Sequence, residues 1–279
     1  YTMPTMHNPL GQVMSAERRQ RLAAIARHRN LLLIEDAAFA FLAEPAPAPL
    51  FTHAPERCIY VSGLSKSVAA GLRFGMIAAA PELVPAMRDT IRNTTWSSPA
   101  LSVALGCRWI ETGEVDDLEI RKRLDAADRQ KLVQRVLERL DYAGHPTSYY
   151  TWLRLHDGLR ADQVAAELAG QNILVSTAQA YATTKVVPHA LRLALGSVDL
   201  PTLGAALGKI RRAAGAWPRS FLFTGRYAEE KAIDVLVKAY AIYRKKAEQP
   251  WPLMTVGQGP LKTLLEGQEG LHDLGFRQP

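Results

Sequence analysis

Cysteine is nearly absent, with Cys58 and Cys107 the two examples in 279 residues. Two thiols so far apart form no disulfide framework and no metal-binding spacing, so a reducing cytoplasm is the default compartment. Long apolar runs are missing too. The longest near the N-terminus, Leu31–Ile34, is strand-sized and far below the ~18 residues of a membrane span. The opening YTMPTMHNPL holds two prolines and no basic segment, so no signal peptide is expected in it. The sequence starts at Tyr1 rather than Met, and an upstream part is expected. Internal repeats and low-complexity tracts are absent, and with them solenoids and linkers.

What is present is ordinary globular composition, with 48% hydrophobic and 22% charged residues. The net charge of +7 admits nucleic-acid or phosphate partners in principle. The basic residues, however, are spread along helical stretches such as Glu17–Arg29 and Leu118–Arg139, as on solvated helix faces. Ser15 caps a helix whose apolar face includes Leu22, Ile25 and Ala26. The runs Leu31–Asp36, Cys58–Leu64 and Gly75–Ala80 read as buried strands. Helices follow from Pro81, over Ser98–Thr112 and over Val115–Leu140. This alternation predicts a mostly parallel sheet covered on both faces. After Gly144 a smaller α+β unit begins, with strands at Tyr149–Leu155, Ile173–Ser176 and Leu191–Leu195. Its helices are Ala161–Gly170 and Pro201–Ala214. Beyond the Pro-containing joint Ala216–Ser220, βαβ texture restarts: a strand Phe221–Gly225, a helix Lys231–Lys245, a strand Pro252–Gly257 and a helix from Pro260.

Polar residues gather at strand ends. Lys66 lies in SGLSKSVAAGLRFG (Ser62–Gly75), just after an apolar strand. A lysine amine in a partly buried pocket near a second cation sheds its proton and attacks carbonyl carbon, which is Schiff-base chemistry. Ser62, Ser65 and Arg73 are donors suited to a phosphate monoester. Asp36 closes its strand where ligands bind in open α/β sheets and is suited to a protonated pyridine nitrogen. Asn8, in HNPLG, is a turn residue that can also donate to a ring hydroxyl.

In order, HNPLG, IED with Asp36, SGLSK with Lys66, GLRFG with Arg73 and ALRLALG with Arg192 resemble fold-type-I, pyridoxal-phosphate-dependent aminotransferases of class I/II. The wording of TMHNPLG and YVSGLSKSVAAGLRFGMI is similar to the aminotransferase-like domain of MocR-type regulators of the GntR superfamily. The resemblance covers Tyr1–Ala214. It implies pyridoxal 5′-phosphate as cofactor, with Lys66 forming the Schiff base and moving the proton of the substrate's α-carbon. Asp36 would bind the pyridine nitrogen, Asn8 the ring's phenolic oxygen, and Ser62, Ser65 and Arg73 the phosphate. Arg192 would clamp the substrate α-carboxylate. The implied reaction transfers an amino group between an amino acid and a 2-oxo acid, in a homodimer.

Two departures from the family stand out. Phe39 sits where a tyrosine usually donates to the phenolic oxygen, which should alter the Schiff-base pKa and slow turnover without abolishing cofactor binding. The glycine-rich phosphate loop and the aromatic that stacks on the ring, both upstream in the family, do not occur in this sequence. The DNA-binding winged helix of MocR-type proteins would lie upstream as well, so the sequence gives no support for DNA binding.

A second resemblance, over FLFTGRYAEEKAIDVLVKAYAIYR, PWPLMTVGQGPLK and LGFRQP, is to the nucleotide-sugar-binding half of GT-B, family-4 glycosyltransferases. It implies that Arg226 and Lys231 neutralise a donor diphosphate, with Gly257 and Gly259 in the next strand-end turn. The acceptor domain and the later acidic motif are not in the sequence.

The expected architecture is therefore α/β in three parts. A partial three-layer αβα large domain spans 1–143, a small α+β domain 144–215, and a Rossmann-like βαβ fragment 216–279. The join near Ala214–Arg219 fits a gene fusion, a misassembled reading frame or an engineered chimera alike. Competing functional readings are a pyridoxal-phosphate enzyme, an effector-sensing regulator remnant without turnover, a non-catalytic chimera and, as an enzyme of a different class, a glycosyltransferase.

Overall fold

The computed structural model describes residues 1–156, 158–215, 220–247 and 250–276. The joint Ala216–Arg219 and the last three residues of LGFRQP lie outside these. The chain forms two compact units, Tyr1–Ala214 and Gly215–Pro279.

The first unit opens with helix α1 (Ala16–His28), whose N-cap Ser15 accepts a hydrogen bond from Arg18 N at 3.3 Å. Strand β1 (Leu33–Asp36), the short helix α2 (Leu50–His53), β2 (Cys58–Gly63), the one-turn α3 (Leu64–Ser67) and β3 (Gly75–Ala78) follow. Next come helices α4 (Val84–Thr94), α5 (Ala100–Glu111) and α6 (Glu114–Leu137). Then β4 (Tyr142–Ala143), β5 (Tyr150–Arg154), α7 (Ala161–Ala169), β6 (Ser176–Thr177), β7 (Ala190–Ala194) and α8 (Leu200–Ala214) complete the unit.

β1 and β2 pair in parallel, with Leu33 opposite Cys58 and Asp36 opposite Val61. The parallel expectation fails at β3, which runs antiparallel to β2. It also fails on burial, since all of Gly75–Ala78 is exposed. A four-residue apolar run carries no information on strand direction, and β3 is an edge strand. Cover is one-sided at β1: Leu33 and Glu35 are buried, whereas Ile34 is 40% exposed. The buried side of α1 also departs from its apolar pattern. Ile25 is 51% exposed and Arg19 fully buried, because α1 rests on backbone carbonyls that require donors.

The second sheet is antiparallel in the order β4-β5-β7-β6. Helices α6, α7 and α8 cover it through Val133, Leu137, Val164, Leu168, Leu203 and Leu207. The expected strand Ile173–Ser176 shrinks to Ser176–Thr177.

The second unit holds β8 (Phe221–Thr224), α9 (Ile233–Lys246), β9 (Leu253–Val256) and β10 (Leu271–Asp273). Its strands are all parallel in the order β10-β9-β8. Tyr227, Ile233, Tyr240, Leu253, Leu265 and Leu271 form its core. The helix expected from Pro260 is only a 3₁₀ turn at Lys262–Leu265. Among the described residues no helix is long and apolar enough to cross a membrane.

Candidate active site

β1 and β2 deliver Asp36 and Ser62 to the same end of the parallel pair, the end where open α/β sheets bind ligands. Directly after β2, Leu64 is buried and anchors α3. This turn carries Ser65 and Lys66. Arg73 follows in a left-handed conformation, φ 53°. Such a conformation is uncommon in non-glycine residues, and it closes the turn into β3. Asp36, Ser62, Ser65, Lys66 and Arg73 thereby line one open cavity of about 400 Å³, with Val61 and Phe74.

Lys66 is exposed rather than partly buried. Its ammonium lies 5.6 Å from the centre of the Phe39 ring. Its carbonyl accepts a 2.8 Å hydrogen bond from Lys122 Nζ of α6. Asp36 is tied on both oxygens. Oδ1 accepts from Ala38 N at 2.9 Å and Oδ2 from the Tyr1 hydroxyl at 2.5 Å. That hydrogen bond, with burial adding to it, pushes the Tyr1 phenol up to about 12. A carboxylate offers about four lone-pair sites, so acceptor capacity remains at Asp36.

The remaining expected residues come from distant segments. Arg192, on β7, donates from Nε to Asn8 Oδ1 at 2.9 Å across 184 positions of sequence. Its guanidinium lies 4.8 Å from the Tyr150 ring centre. Tyr150 donates its hydroxyl to Met6 O at 2.7 Å, two residues before Asn8. Its ring meets Phe39 edge-on at 5.5 Å. Burial pushes the Tyr150 phenol up. A single chain of ring contacts thus runs from Lys66 through Phe39 and Tyr150 to Arg192.

Tyr150 and Tyr1 escaped the sequence reading. For Tyr150 the available signal was register. Arg192 pairs with Trp152 across β5–β7, which leaves Tyr150 on the same face as a diagonal neighbour within reach of a long side chain. No local signal pointed to Tyr1.

Helix α6 braces both parts. Besides Lys122, its Arg129 donates to Leu195 O and Val198 O, both at 2.6 Å, just past β7. Tyr149 donates to Lys122 O at 3.0 Å and to Asp125 Oδ2 at 2.8 Å.

In the second unit, Arg226 and Lys231 are exposed beyond the carboxyl end of β8. Among the described residues neither has a side-chain hydrogen bond or ion pair. Gly257 and Gly259 are required by close approach. A Cβ at Gly257 would lie 1.9 Å from Gly225 O, and one at Gly259 would lie 2.3 Å from Tyr227 O.

The first unit thus has the mixed α/β fold of pyridoxal-phosphate-dependent aminotransferases. The chain belongs to the aminotransferase class I and II family, whose model matches residues 3–210. An uncharacterized HTH-type transcriptional regulator of Bacillus subtilis, YisV, is 29% identical over 191 residues. That match covers 65% of this chain and 39% of YisV. Aromatic-amino-acid aminotransferase 1 of Thermococcus litoralis is 23% identical over 201 residues, covering 69% and 48%. Kynurenine aminotransferase of Pyrococcus horikoshii, solved in complex with PMP, superposes with a TM-score of 0.72 at 20% identity, covering 77% and 55%. The chain spans about two fifths of the length of the curated regulators it matches. The family implies pyridoxal 5′-phosphate as cofactor. The donor set fits that group: one amine, one carboxylate, two hydroxyls and one guanidinium face a single cavity.

Proposed function

We propose that the first unit is an aminotransferase-type site that moves an amino group between an amino acid and a 2-oxo acid. The observation that carries this reading is the convergence of Asp36, Ser62, Ser65, Lys66 and Arg73 on one cavity. When bound, pyridoxal phosphate supplies an electron sink for the pair left on the substrate's α-carbon. The protein's own groups do the rest. Ser62, Ser65 and Arg73 hold the phosphate by charge-assisted hydrogen bonds. Asp36 holds the ring nitrogen and keeps it protonated, and Asn8 contacts the ring oxygen. Lys66 tethers the cofactor and carries the proton to and from the α-carbon. Arg192 takes the α-carboxylate. Phe39 supplies no hydroxyl, so one donor to the ring oxygen is lost and turnover is slowed.

The same reading takes the ligands to be an amino acid and its 2-oxo acid, the assembly a homodimer and the compartment the cytoplasm. Similarity to a transcriptional regulator such as YisV supports a second reading, in which the site binds cofactor and amino acid as an effector without turnover. For the second unit, we read Arg226 and Lys231 as the diphosphate-binding pair of a glycosyltransferase-like fragment. The support is their lack of side-chain hydrogen bonds and ion pairs among the described residues, and the two glycines that let adjacent strand-end loops touch. In that reading the chain is a chimera of two families.

The test is an ultraviolet–visible spectrum with added pyridoxal phosphate, beside Lys66→Ala. A Lys66-dependent visible band is expected. Its absence from folded protein removes both readings of the first unit. A spectral change on adding amino acid, with no 2-oxo acid produced, selects the effector site. Nucleotide-sugar binding lost in Arg226→Ala supports the glycosyltransferase-like reading, and no binding removes it.

A further inference from the structure

Arg192 is held in a way that leaves one edge of its guanidinium free. An arginine offers five N–H donors in a planar fork and takes a carboxylate either through Nε with one Nη or through both Nη groups. Here Nε is committed to Asn8. No other side-chain hydrogen bond or ion pair engages Arg192 among the described residues. The edge formed by the two Nη groups is therefore the one presented to a ligand. The Tyr150 ring lies beneath the guanidinium, its centre 4.8 Å from Cζ.

Tyr150 is itself fixed from several sides. It is 1% exposed. Its hydroxyl is anchored on Met6 O, its carbonyl accepts from Gln130 Nε2 at 3.2 Å, and its ring abuts Phe39. Phe39 in turn lies under the Lys66 ammonium. Amine and guanidinium thus each lie against one of two aromatic rings that meet edge-on.

We propose that Tyr150 is a positioning residue that holds Arg192 for end-on capture of a carboxylate and makes the site selective for amines that carry one. This rests on the aminotransferase-type reading of the site. The chemistry is cation–π attraction between the guanidinium and the face of the ring. Tyr150→Leu removes the ring and keeps an apolar side chain. Tyr150→Phe keeps the ring and removes only the anchor on Met6.

Two measurements test it. The first uses the protein without added cofactor and follows the Arg192 Nε–H resonance by nuclear magnetic resonance. The parent should show it shifted upfield by the ring and slow to exchange with water. Tyr150→Phe should keep the shift. Tyr150→Leu should lose it, with exchange faster by about tenfold, the factor equal to ~1.4 kcal/mol. An Nε–H that exchanges freely in the parent, or one that Tyr150→Leu leaves unchanged, overturns the proposal.

The second measurement uses cofactor-loaded protein and two probes. 2-Aminoisobutyrate has no α-hydrogen and binds without turnover. tert-Butylamine is the same amine with a methyl group in place of the carboxylate, and it likewise has no α-hydrogen. The dissociation constant of 2-aminoisobutyrate relative to that of tert-butylamine should rise about tenfold in Tyr150→Leu, with tert-butylamine itself unaffected, and stay within about twofold in Tyr150→Phe. An unchanged ratio in folded Tyr150→Leu overturns the proposal. If the parent takes up no cofactor, the aminotransferase-type reading falls, and the Nε–H measurement alone decides the positioning role.

Discussion

Replacing Arg19 by leucine should remove about 4 kcal/mol from the stability of the first unit. Arg19 is fully buried in α1. It donates to Met14 O at 3.0 Å, Ala48 O at 3.3 Å, Pro4 O at 3.0 Å and Thr5 Oγ1 at 2.8 Å. Its guanidinium lies 3.9 Å from Glu35 Oε1, whose residue is 1% exposed. Breaking a buried pair from one side costs about 3–5 kcal/mol, because the other charge stays buried and uncompensated. Each carbonyl left without a donor adds about 1 kcal/mol or more, less what relaxation recovers. Glu35 keeps two donors, Phe51 N at 3.0 Å and the weaker Cys58 Sγ at 3.9 Å, which holds the estimate in the middle of that range. Urea denaturation gives the total, and amide exchange at β1 assigns it to the first unit. The double variant Arg19→Leu/Glu35→Leu should regain about half the loss, since no buried charge is then left unpaired. A loss below ~1 kcal/mol in the single variant, or a double variant less stable than the single, refutes the reasoning. The outcome reaches the site, because Arg19 ties the Pro4–Thr5 segment leading to Asn8 onto the strand that ends in Asp36.

Two further outcomes follow from particular contacts. Gly257→Ala should unfold the second unit and spare the first, because its Cβ would fall 1.9 Å from Gly225 O and only backbone is there to move. Loss of β8–β9 amide protection with α6 protection retained is the expected exchange pattern, and retention of both would refute it. Native protein should show one reactive thiol with a chromogenic disulfide reagent and two in denaturant, since Cys107 is exposed and Cys58 buried. Burial, with Glu35 adding to it, pushes the Cys58 thiol from 9.0 up to about 12. The neutral thiol is thus the form the fold favours. This stabilisation is complete below pH 9 and is lost as pH rises from 9 toward 12. Alkaline destabilisation should be shallower in Cys58→Ala, and identical curves would count against the assignment.

Much of the site was legible because its pieces are local. Asp36 and Lys66 each follow an apolar run that ends abruptly in polar and small residues, and that pattern survives folding. Arg192 was read from a strand and does lie on one. What escaped depends on pairing between remote segments. The antiparallel sense of β3 turns on the left-handed Arg73 and the turn before it, which no periodicity encodes. Tyr150 lies beside Arg192 only because Trp152, not Tyr150, stands opposite it in the ladder. One residue of slip would turn its ring to the other face of the sheet. Arg19 looked like a solvated helix charge, and its burial is explained by loop carbonyls, the Thr5 hydroxyl and Glu35, none of them in its own helix. Lys66 was expected to be half-buried and lies open.

The two anchoring residues of α6 have a mechanical consequence. Lys122 grips the carbonyl of Lys66, and Arg129, seven residues later, grips carbonyls just beyond the strand of Arg192. Seven residues are two turns, so both grips lie on one side of the helix about 10 Å apart. Helix α6 is therefore a strut of fixed length between the turn that bears the amine and the strand that bears the guanidinium. Moving the turn relative to the strand requires at least one of these grips to break, and otherwise the two travel together on the strut.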